Sequence, residues 1–417
     1  MLFPSAASIS PHRVVVTGIG LVTAYGLGYE KNAEGFRRGL TAFRPVSLFD
    51  VSRQRVKAAA EVDLPPSLPP SRLSARKQKR MERAARLLFH AADEALHQSA
   101  WPNHHSTPLI LGTTSGGMSR GEEFFREATT APASSRWQAT RVSYYLAQRQ
   151  ALDLTEGYGL TGPVTIIANA CAAGANAVGH AFEVVRSGRA RRALAGGYDA
   201  LSQLVFSGFD SLQALSPTVC RPFDARRDGL ALGEGAAVLA LESLDAATER
   251  GAVIFGEICG YGAATDSHHL TQPHPQGEAA VMTMRSACRQ AGVKPSQVTY
   301  INAHGTGTPL NDSSETAAIN AWAGPSVEEL RVSSTKAGIG HLLGAAGAVE
   351  SALCLIALKE QWLPPMMTTE EVDPAVQFHL VQRPTKAKEL HRPFEYALSN
   401  SFGFGGANAS LLFRRFP

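Results

Sequence analysis

Residues 164–186 have the sequence VTIIANACAAGANAVGHAFEVVR, which joins a strand pattern directly to a helix pattern. The β-branched run Val164–Ala168 predicts a strand, and small or apolar residues at 175, 178, 179, 182 and 185 predict a helix over Ala172–Arg186. Cys171 falls in the turn between them, where the free N–H groups and the dipole of the helix favour a thiolate. A single cysteine in an apolar setting is most often a core residue. At this turn, however, the geometry exposes the thiol and predicts a nucleophile.

Strands alternate with long helices on both sides of this segment. The other strands of the first half are predicted at Arg13–Ile19, Pro108–Leu111, Arg192–Ala195, Ala236–Leu241 and Val253–Ile258, with a helix at Lys79–His97. The order then begins again, with helices at Glu278–Ala291, Ser313–Trp322 and Gly344–Leu358 and strands at Val298–Asn302, Arg331–Ser333, Leu398–Ser401 and Ala409–Phe413. This alternation predicts an α/β fold with two similar halves, residues 1–255 and 256–417. Surface loops are predicted at Leu64–Pro70 and Ala131–Arg136.

Composition and charge exclude several classes of protein. The chain has 417 residues, 44% of them hydrophobic and 18% charged, which is ordinary for a folded protein and excludes wholesale disorder. It contains no run of about 18 apolar residues, and its N-terminus lacks the pattern of a secretory signal. The five cysteines are scattered and never form a CxxC pair, so a reducing cytoplasm is expected rather than a disulfide framework or a zinc site. The net charge of +4 does not by itself indicate nucleic acid.

The glycines Gly18 and Gly20 follow the first predicted strand and resemble the start of a dinucleotide-binding fingerprint. The third glycine would fall at position 23, where Thr23 stands, and no helix or suitably spaced acidic residue follows. We therefore expect no nucleotide site here and interpret the glycines as a tight strand-to-loop turn.

A second segment, VTYINAHGTGTPLND over 298–312, places polar side chains at the end of a strand. His304 precedes a loop of glycine and threonine, which favours a position in a cleft rather than in a core. The hydroxyls of Thr306 and Thr308 can bind a polar ligand chain.

Two more segments combine small residues with chemically active or bulky side chains. In VSSTKAGIGHLLGAAGAVE, 332–350, Lys336, His341 and Glu350 lie in so apolar a stretch that they should need one another as partners. In SNSFGFGGANA, 399–409, Phe402 and Phe404 lie among glycines. Such a loop can be a structural turn, or it can supply backbone N–H donors together with a movable gate.

These motifs together resemble the elongating, type II class of β-ketoacyl–acyl carrier protein synthases, within the thiolase superfamily. ACAAGANAVGHA, NAHGTGTPLND, SSTKAGIGHLLGAAGAVES and NSFGFGG occur in the family's order, and RPFDARRDGLALGEGAA (221–237) and ATDSHHLTQP (264–273) fit the same family. The match runs over nearly the whole chain. The resemblance implies a thiolase-like five-layered αβαβα fold from two pseudo-duplicated halves, and a dimer. It also implies decarboxylative Claisen condensation of a Cys-bound acyl chain with malonyl carrier protein, giving a 3-oxoacyl thioester.

The resemblance also implies roles for the residues already singled out. Cys171 matches the nucleophile that takes an acyl chain from the carrier protein as a thioester. His304 and His341 match the family's paired histidines, which donate hydrogen bonds to an enolate oxygen, and Lys336 matches its active-site lysine. Glu350 is expected to pair with Lys336 or with a histidine.

The glycine-rich loop is expected to serve both as a donor site and as a gate. The backbone N–H groups of Cys171 and Phe404 match the family's oxyanion donors, and Phe404 matches its gating phenylalanine. The residues expected to contact the substrate or to move with the gate are Thr306, Thr308, Phe402, Asp266 and His269. No metal or redox cofactor is expected, because the substrates arrive on the phosphopantetheine arm of the carrier protein.

The basic residues are concentrated in SRLSARKQKRMERAAR, 71–86, which holds seven bases against one acid. A charge run of this kind is usually a solvated helix face. The family, however, docks its acidic carrier protein on a basic patch in this region, so Arg76, Lys79 and Arg80 are predicted docking residues. The expected partners are the carrier protein and a second ketosynthase-like subunit, in a homodimer or a heterodimer, with neither nucleic acid nor a membrane span.

One position departs from the common elongating enzymes. They usually carry a Gly-Ile-Gly-Gly-like stretch at the floor of the acyl pocket, where this chain has Thr113-Thr114-Ser115-Gly116-Gly117. Ser115 is smaller and more polar than isoleucine, so it is predicted to open or polarise the acyl tunnel. This change, with Asn311-Asp312 in HGTGTPLND, favours a synthase of polyene or polyketide chains, such as aryl polyenes.

Three other functions remain open on the sequence. A noncatalytic chain-length factor has the same fold but lacks the nucleophile, whereas Cys171, His304 and His341 are all present here. A thiolase would carry a second cysteine in the C-terminal glycine-rich loop, which here has Phe402 and Phe404 instead. A Cys-His acyl-thioester hydrolase is excluded less firmly, because water can attack an acyl-enzyme.

Overall fold

The structure is a computed structural model that describes residues 11–131 and 139–417. The strands up to residue 250 are β1 (Val14–Thr23), β2 (Gly26–Leu27), β3 (Arg44–Pro45), β4 (Ala58–Ala59), β5 (Leu109–Gly112), β6 (Val164–Ile167), β7 (Arg192–Asp199) and β8 (Gly235–Ser243). The helices are α1 (Tyr29–Arg38), α2 (Ala75–Arg80), α3 (Arg83–Ser99), α4 (Met118–Thr130), α5 (Gln148–Tyr158), α6 (Ala173–Arg186), α7 (Gln203–Ser211) and α8 (Leu244–Glu249).

The remaining residues supply a second set of elements. The strands are β9 (Gly256–Thr265), β10 (Tyr300–Asn302), β11 (Arg331–Ser333), β12 (Trp362–Leu363), β13 (His379–Leu380), β14 (Thr385–Lys386), β15 (Tyr396–Phe402) and β16 (Ala407–Arg414). The helices are α9 (Glu278–Ala291), α10 (Pro309–Ala323), α11 (Lys336–Ile339) and α12 (Ala346–Glu360). None of the helices described here is both long and apolar enough to cross a membrane.

The strand order repeats between the two halves of the chain. The first half is ordered β1-β8-β7-β5-β6 and the second β9-β16-β15-β10-β11, with the same succession of antiparallel and then parallel pairs. The halves join edge to edge where β1 pairs with β9 over Val14–Val16. The predicted mixed α/β fold with a duplicated design is therefore confirmed. The division at residues 255 and 256 remains a prediction.

Helices lie in three layers around these strands. The central helices α6 and α12 contact each other and strands of both halves, α3 covers β1 and β8, and α9 covers β9 and β16. This is the αβαβα layering expected from the family resemblance. Almost every residue of α12 is buried, which explains why its sequence is apolar or small on all sides.

Gly18 and Gly20 serve helix packing and do not form a turn. Both lie inside β1, and a Cβ added to them would come within 2.2 Å and 1.6 Å of the backbone oxygens of Ala95 and Ala91 in α3. The interpretation of these glycines as a strand-to-loop turn is thus wrong, because the close approach of the helix requires them within the strand. The expectation that they form no nucleotide site is unaffected.

The predicted helix Lys79–His97 is in fact two helices, with a break at Met81 and Glu82. The buried Glu82 carboxylate accepts hydrogen bonds from the N–H groups of Ala84 and Ala85 and so begins α3 anew. Leu64–Pro70 is irregular, as predicted. Of the predicted loop Ala131–Arg136, all residues after Ala131 lie outside the described part of the chain.

Each half also has a tight turn before its central helix. A single 3-10 turn, Ala170–Ala172, precedes α6, and another, Leu343–Ala345, precedes α12. The first residue of each turn, Ala170 or Leu343, has φ 54°, a left-handed conformation that is uncommon for residues other than glycine. The two turns therefore occupy equivalent positions in the duplicated fold.

Candidate active site

Cys171 is the middle residue of the turn that joins β6 to α6. Its side chain is buried, and it faces the C-terminal glycine-rich loop across a narrow gap. A Cβ added to Gly403 in that loop would lie 3.1 Å from the Cys171 nitrogen, so the close approach favours glycine there. The predicted strand, turn and helix around Cys171 are confirmed.

Burial determines the protonation of the thiol. It raises the pKa of Cys171 to about 11, whereas the Lys336 charge and the backbone N–H groups of Phe404 and Cys171 lower that pKa to a smaller extent. The thiol is therefore protonated near neutral pH in the substrate-free cavity. The N–H groups at this helix N-terminus favour the thiolate, as expected, but in the substrate-free cavity burial has the larger effect on the pKa of Cys171. Those two N–H groups nonetheless lie close enough to hydrogen-bond to the sulfur.

His304 and His341 lie together beside the thiol. Their ring centroids are 5.3 Å apart with the planes at 85°, and both side chains are almost fully buried. Burial lowers the pKa of each imidazole well below its usual value, and the charge of Lys336 acts in the same direction. Both histidines are consequently neutral.

The hydrogen bonds of His341 fix its tautomer. Its Nδ1 accepts a hydrogen bond of 3.0 Å from the N–H of Leu343, so the ring proton is on Nε2. Among the described residues, neither Nε2 of His341 nor Nδ1 of His304 has a hydrogen-bond partner. Buried polar atoms are rarely left unpaired, because each costs about 1–3 kcal/mol. The free Nε2–H of His341 is therefore a donor available to a bound molecule.

Lys336 and Glu350 form a buried ion pair behind the histidines. Nζ of Lys336 contacts Oε1 of Glu350, as expected, and both side chains are nearly inaccessible to solvent. Burial raises the pKa of Glu350 to about 7, although Lys336 opposes this rise. The charge of Lys336 lowers the pKa of Cys171 and of both histidines, so Lys336 influences the site electrostatically.

A cavity of about 390 Å³ contains the thiol and the two histidines. The predicted site residues that line it are Cys171, His304, His341, Thr306, Thr308, Asp266, His269, Phe402 and Phe404. The Oγ1 atoms of Thr306 and Thr308 lie 2.9 Å apart on one wall. Lys336, Glu350 and Ser115 do not line this cavity.

Two loops at the mouth of the cavity are hydrogen-bonded to each other. The N–H of Gly405 donates to the Leu270 carbonyl at 2.7 Å, and the N–H of Asp266 donates to the Gly406 carbonyl at 2.8 Å. The Phe404 ring is 40% exposed and stacks on Phe209 of α7, with the centroids 6.0 Å apart. These bonds link the predicted gate to the Asp266 loop.

Ser115 has a different environment from the one its sequence position suggested. Its Oγ donates a 2.8 Å hydrogen bond to Oδ1 of Asp199 in a buried cluster. The hydroxyl is thus occupied within the protein and does not add polarity to the cavity around Cys171. The starter class inferred from Ser115 remains a prediction and gains no support from this contact.

The structural roles of three buried carboxylates were not predicted from the sequence, although Asp312 was noted there for another reason. Glu315 accepts hydrogen bonds from the N–H groups of His304 and Gly305, at 2.9 and 2.7 Å, and so fixes the backbone of the loop that follows β10. Asp312 holds the N–H of Gly307 in the same way, at 3.1 Å from Oδ2. Asp199 binds the Ser115 segment. Each of these carboxylates binds backbone across a turn or in a distant segment, which leaves no local sequence pattern. The one signal of such a role in the sequence is an acidic residue inside an otherwise apolar element.

The predicted docking residues lie on the short helix α2. Arg76, Lys79 and Arg80 are exposed, and none forms an ion pair with another described residue. By contrast, Lys77 pairs with Glu156 and Arg83 with the buried Glu234. The charges of the 71–86 run that have no carboxylate partner within the described part of the chain are therefore those of the three predicted bases, of Arg72 and of Arg86, whose guanidinium donates to the carbonyls of Pro65 and Pro66.

Family models match most of the chain. The model described as the β-ketoacyl synthase N-terminal domain matches residues 12–247, and that of the β-ketoacyl synthase C-terminal domain matches residues 255–370. A 3-oxoacyl-[acyl-carrier-protein] synthase 2 of Synechocystis sp. is 35% identical over 98% of this chain and 100% of its own. The enzyme of the same name from Staphylococcus aureus is 34% identical over 97% of this chain and 98% of its own.

Solved structures show the same similarity in three dimensions. A chain of the ishigamide ketosynthase/chain length factor has a TM-score of 0.90 at 31% identity, covering 98% of this chain and all of that one. A chain from AntDE:AntF, a type II polyketide ketosynthase with its acyl carrier protein, has a TM-score of 0.88 at 27% identity, with 97% and 100% covered. The thiol, the two histidines and the glycine-rich loop meet in one cavity of this fold, and the chain belongs to the β-ketoacyl synthase family.

Proposed function

We propose that the protein is an elongating 3-oxoacyl-[acyl-carrier-protein] synthase that works in fatty acid or polyketide chain elongation. The observation that carries this proposal is the meeting of Cys171, neutral His304 and neutral His341 in one cavity, with Nε2–H of His341 free to donate. A nucleophile and two N–H donors that line the same cavity suit a reaction that forms first a thioester and then an enolate.

In the first half-reaction, Cys171 attacks the thioester carbonyl of an acyl chain on the carrier protein. The thiol loses its proton, the carrier thiolate leaves, and that thiolate takes up a proton, so an acyl-enzyme and a free carrier thiol result. The N–H groups of Cys171 and Phe404 stabilise the oxyanion of the tetrahedral intermediate. The charge of Lys336 favours the thiolate, which burial otherwise disfavours.

In the second half-reaction, a malonyl thioester takes the place of the departed carrier. It loses CO2, and the electron pair of the broken bond forms an enolate whose oxygen accepts hydrogen bonds from His304 and His341. The enolate carbon then attacks the acyl group on Cys171, which releases the thiolate and gives a 3-oxoacyl thioester two carbons longer. This chemistry requires N–H donors, which two neutral imidazoles supply.

The carrier protein delivers both substrates on a flexible arm. Thr306 and Thr308 offer hydroxyls on the wall of the cavity for the amides of the phosphopantetheine arm. Arg76, Lys79 and Arg80 offer exposed, unpaired cations for an acidic carrier surface.

The second subunit would pair at the β6 end of the sheet. β6 ends the strand order with β5 as its neighbour, and Val164 at its start is 38% exposed. Leu146 and Leu152, near or in the adjacent α5, are about half exposed as well. Clustered apolar exposure of this kind marks protein interfaces. Whether the partner is a second copy or a ketosynthase-like subunit is decided by the mass of the purified complex, alone and with a co-expressed partner.

A product analysis tests the proposed reaction. We expect the protein, incubated with acyl-loaded and malonyl-loaded carrier, to yield a 3-oxoacyl carrier two carbons longer in intact-mass spectra, and the Cys171→Ala variant to yield none. Free fatty acid without condensation would identify a hydrolase instead. The absence of acyl transfer to Cys171 would identify a noncatalytic chain-length factor.

A further inference from the structure

Asp199, the last residue of β7, collects an unusual number of hydrogen bonds for a fully buried carboxylate. Oδ1 accepts from Oγ1 of Thr113 at 2.6 Å, and from N and Oγ of Ser115 at 2.9 and 2.8 Å. Oδ2 accepts from the N–H of Thr114 at 2.8 Å and from the N–H of Gly344 at 2.6 Å. One side chain therefore connects the loop after β5, in the first half, to the turn before α12, in the second.

The Gly344 contact belongs to the turn that orients His341. Leu343, the first residue of this turn, adopts the left-handed φ of 54°, which costs a residue with a Cβ about 1 kcal/mol or more. In this conformation its N–H donates to Nδ1 of His341. The bond from Gly344 to Asp199 anchors the next peptide and so holds the strained residue in place.

The backbone of His341 has separate anchors. Its N–H donates to the Ala231 carbonyl at 2.7 Å, and its carbonyl accepts from the N–H of Gly233 at 3.0 Å. Loss of the Asp199 contact would thus leave the main chain of His341 in place. What it would release is the Leu343 N–H, which determines the tautomer of the ring.

We propose that Asp199 is a positioning residue that acts through Gly344 and Leu343 to keep the ring proton of His341 on Nε2. This inference rests on the proposed function, because it assigns Asp199 to the half-reaction in which His341 donates to the enolate. Acyl transfer to Cys171 relies on other donors, the N–H groups of Cys171 and Phe404. The two half-reactions should therefore respond differently to a change at residue 199.

The Asp199→Asn variant tests whether the two half-reactions respond differently to a change at residue 199. Asparagine has a single acceptor oxygen, so its NH2 group must face N–H or O–H donors on one side of the cluster. We expect CO2 release from malonyl carrier to fall by at least about tenfold, the equivalent of about 1.4 kcal/mol or one hydrogen bond. Acylation of Cys171, followed by intact mass, should change by less than about threefold.

Nuclear magnetic resonance gives a readout that does not depend on activity. In 15N-histidine-labelled protein, the His341 signals, assigned by their loss in His341→Ala, should show an unprotonated Nδ1 in the wild type and a mixture of tautomers in Asp199→Asn. The matched control is Glu94→Gln, whose partly buried carboxylate likewise accepts N–H bonds, from Leu21 and Tyr29 in a different part of the fold. It should alter neither the half-reactions nor the His341 signals.

Each result has a definite meaning. An equal fall in both half-reactions of Asp199→Asn, or an unchanged His341 tautomer, overturns the inference. If Asp199→Asn does not fold, the same measurements are made on the milder Asp199→Glu, which keeps both carboxylate oxygens on a longer side chain. If neither variant folds, the proposed positioning role is overturned and Asp199 serves stability alone. A wild type that neither acylates nor decarboxylates contradicts the proposed function, while the spectra still decide the role of Asp199.

Discussion

At the scale of the residue, burial shifts the pKa values of Cys171, His304 and His341 more than the neighbouring charge of Lys336 does. Burial keeps the Cys171 thiol protonated and both histidines neutral. Neutral histidines are the useful form, because each can donate a hydrogen bond without attracting the carboxylate of malonate. The protonated thiol is the opposite case, since the nucleophile must lose its proton before it reacts.

The raised pKa of Cys171 predicts a steep dependence of its alkylation on pH. Only the thiolate reacts, and below the pKa its fraction rises about tenfold for each pH unit. The rate of iodoacetamide inactivation of the substrate-free protein should therefore keep increasing from neutral pH to at least about pH 10. Stopped assays of condensing activity after alkylation measure this rate. A plateau of the rate near neutral pH would contradict the conclusion that burial has the largest effect on the pKa of Cys171. The control is Cys171→Ser, whose intact mass after the same treatment reports any reaction at the other cysteines.

Replacing His341 should separate the two half-reactions more sharply. The His341→Ala variant loses one donor to the enolate, and loss of one such donor costs about 10²–10³ in rate. We expect that fall in CO2 release from malonyl carrier, with acylation of Cys171 retained. Radiolabelled CO2 and intact mass measure the two steps. The exposed His180→Asn on α6 is the control, and a comparable loss in both steps of His341→Ala would exclude a specific role in decarboxylation.

At the scale of the elements, glycines bring the two central helices and their turns into contact. A Cβ added to Gly174 of α6 would lie 2.6 Å from the Gly344 oxygen and 2.9 Å from the Ala348 nitrogen. A Cβ added to Gly197 of β7 would lie 2.8 Å from the same oxygen. Because these neighbours are backbone atoms, they cannot rotate away as side chains do. The turn that carries Cys171 and the turn beside His341 can lie in contact because glycines at these positions have no side chains.

The Gly174→Ala variant tests this contact. The added methyl group must push α6 away from the start of α12, and overpacking of this kind costs about 1–3 kcal/mol. We expect a clearly lower Tm by calorimetry and reduced condensing activity. Gly208→Ala in α7 is the matched control, since its added Cβ meets no atom within 4 Å and alanine favours a helix. Equal stability of the two variants would show that the junction tolerates a side chain.

The sequence predicts elements well where local pattern and packing agree. The strand at Val164 and the helix after Cys171 were predicted within one residue, because β-branched residues and a small-residue face point to the same structure. The break at Glu82 was missed because glutamate is not among the residues that usually cap the start of a helix. Here its buried side chain nevertheless caps α3. Asp199 was missed because its hydrogen-bond partners are 84 or more residues away in the sequence, beyond any local pattern. Prediction therefore failed where a buried carboxylate organises the backbone, either next to it, as with Glu82, or in distant segments, as with Asp199.

For the whole molecule, we predict that docking of the carrier depends on the small excess of positive charge on α2. Arg80→Glu reverses one of three exposed, unpaired cations on α2, so we expect KM for acyl-loaded carrier to rise about tenfold at low salt. Loading from a small acyl-pantetheine thioester should not change. The effect should shrink at high ionic strength, where exposed charges are screened.

A remote charge reversal controls for net charge. Arg189→Glu alters the total charge equally at an exposed position after α6, and it should leave KM unchanged. Steady-state kinetics with the carrier substrate measure both variants. If Arg80→Glu behaves like Arg189→Glu, the carrier docks elsewhere on the molecule.

The duplicated fold places chemically different residues at the equivalent positions of its two 3-10 turns. The middle residue of the first turn is Cys171, and the middle residue of the second is Gly344, whose N–H is bound by Asp199. A protein assembled from two identical copies would have to place the same residue at both positions, and thus either two thiols or none. With both copies in one chain, each turn can specialise: one carries the reacting atom, and the other serves as the fixed support for the group that assists it.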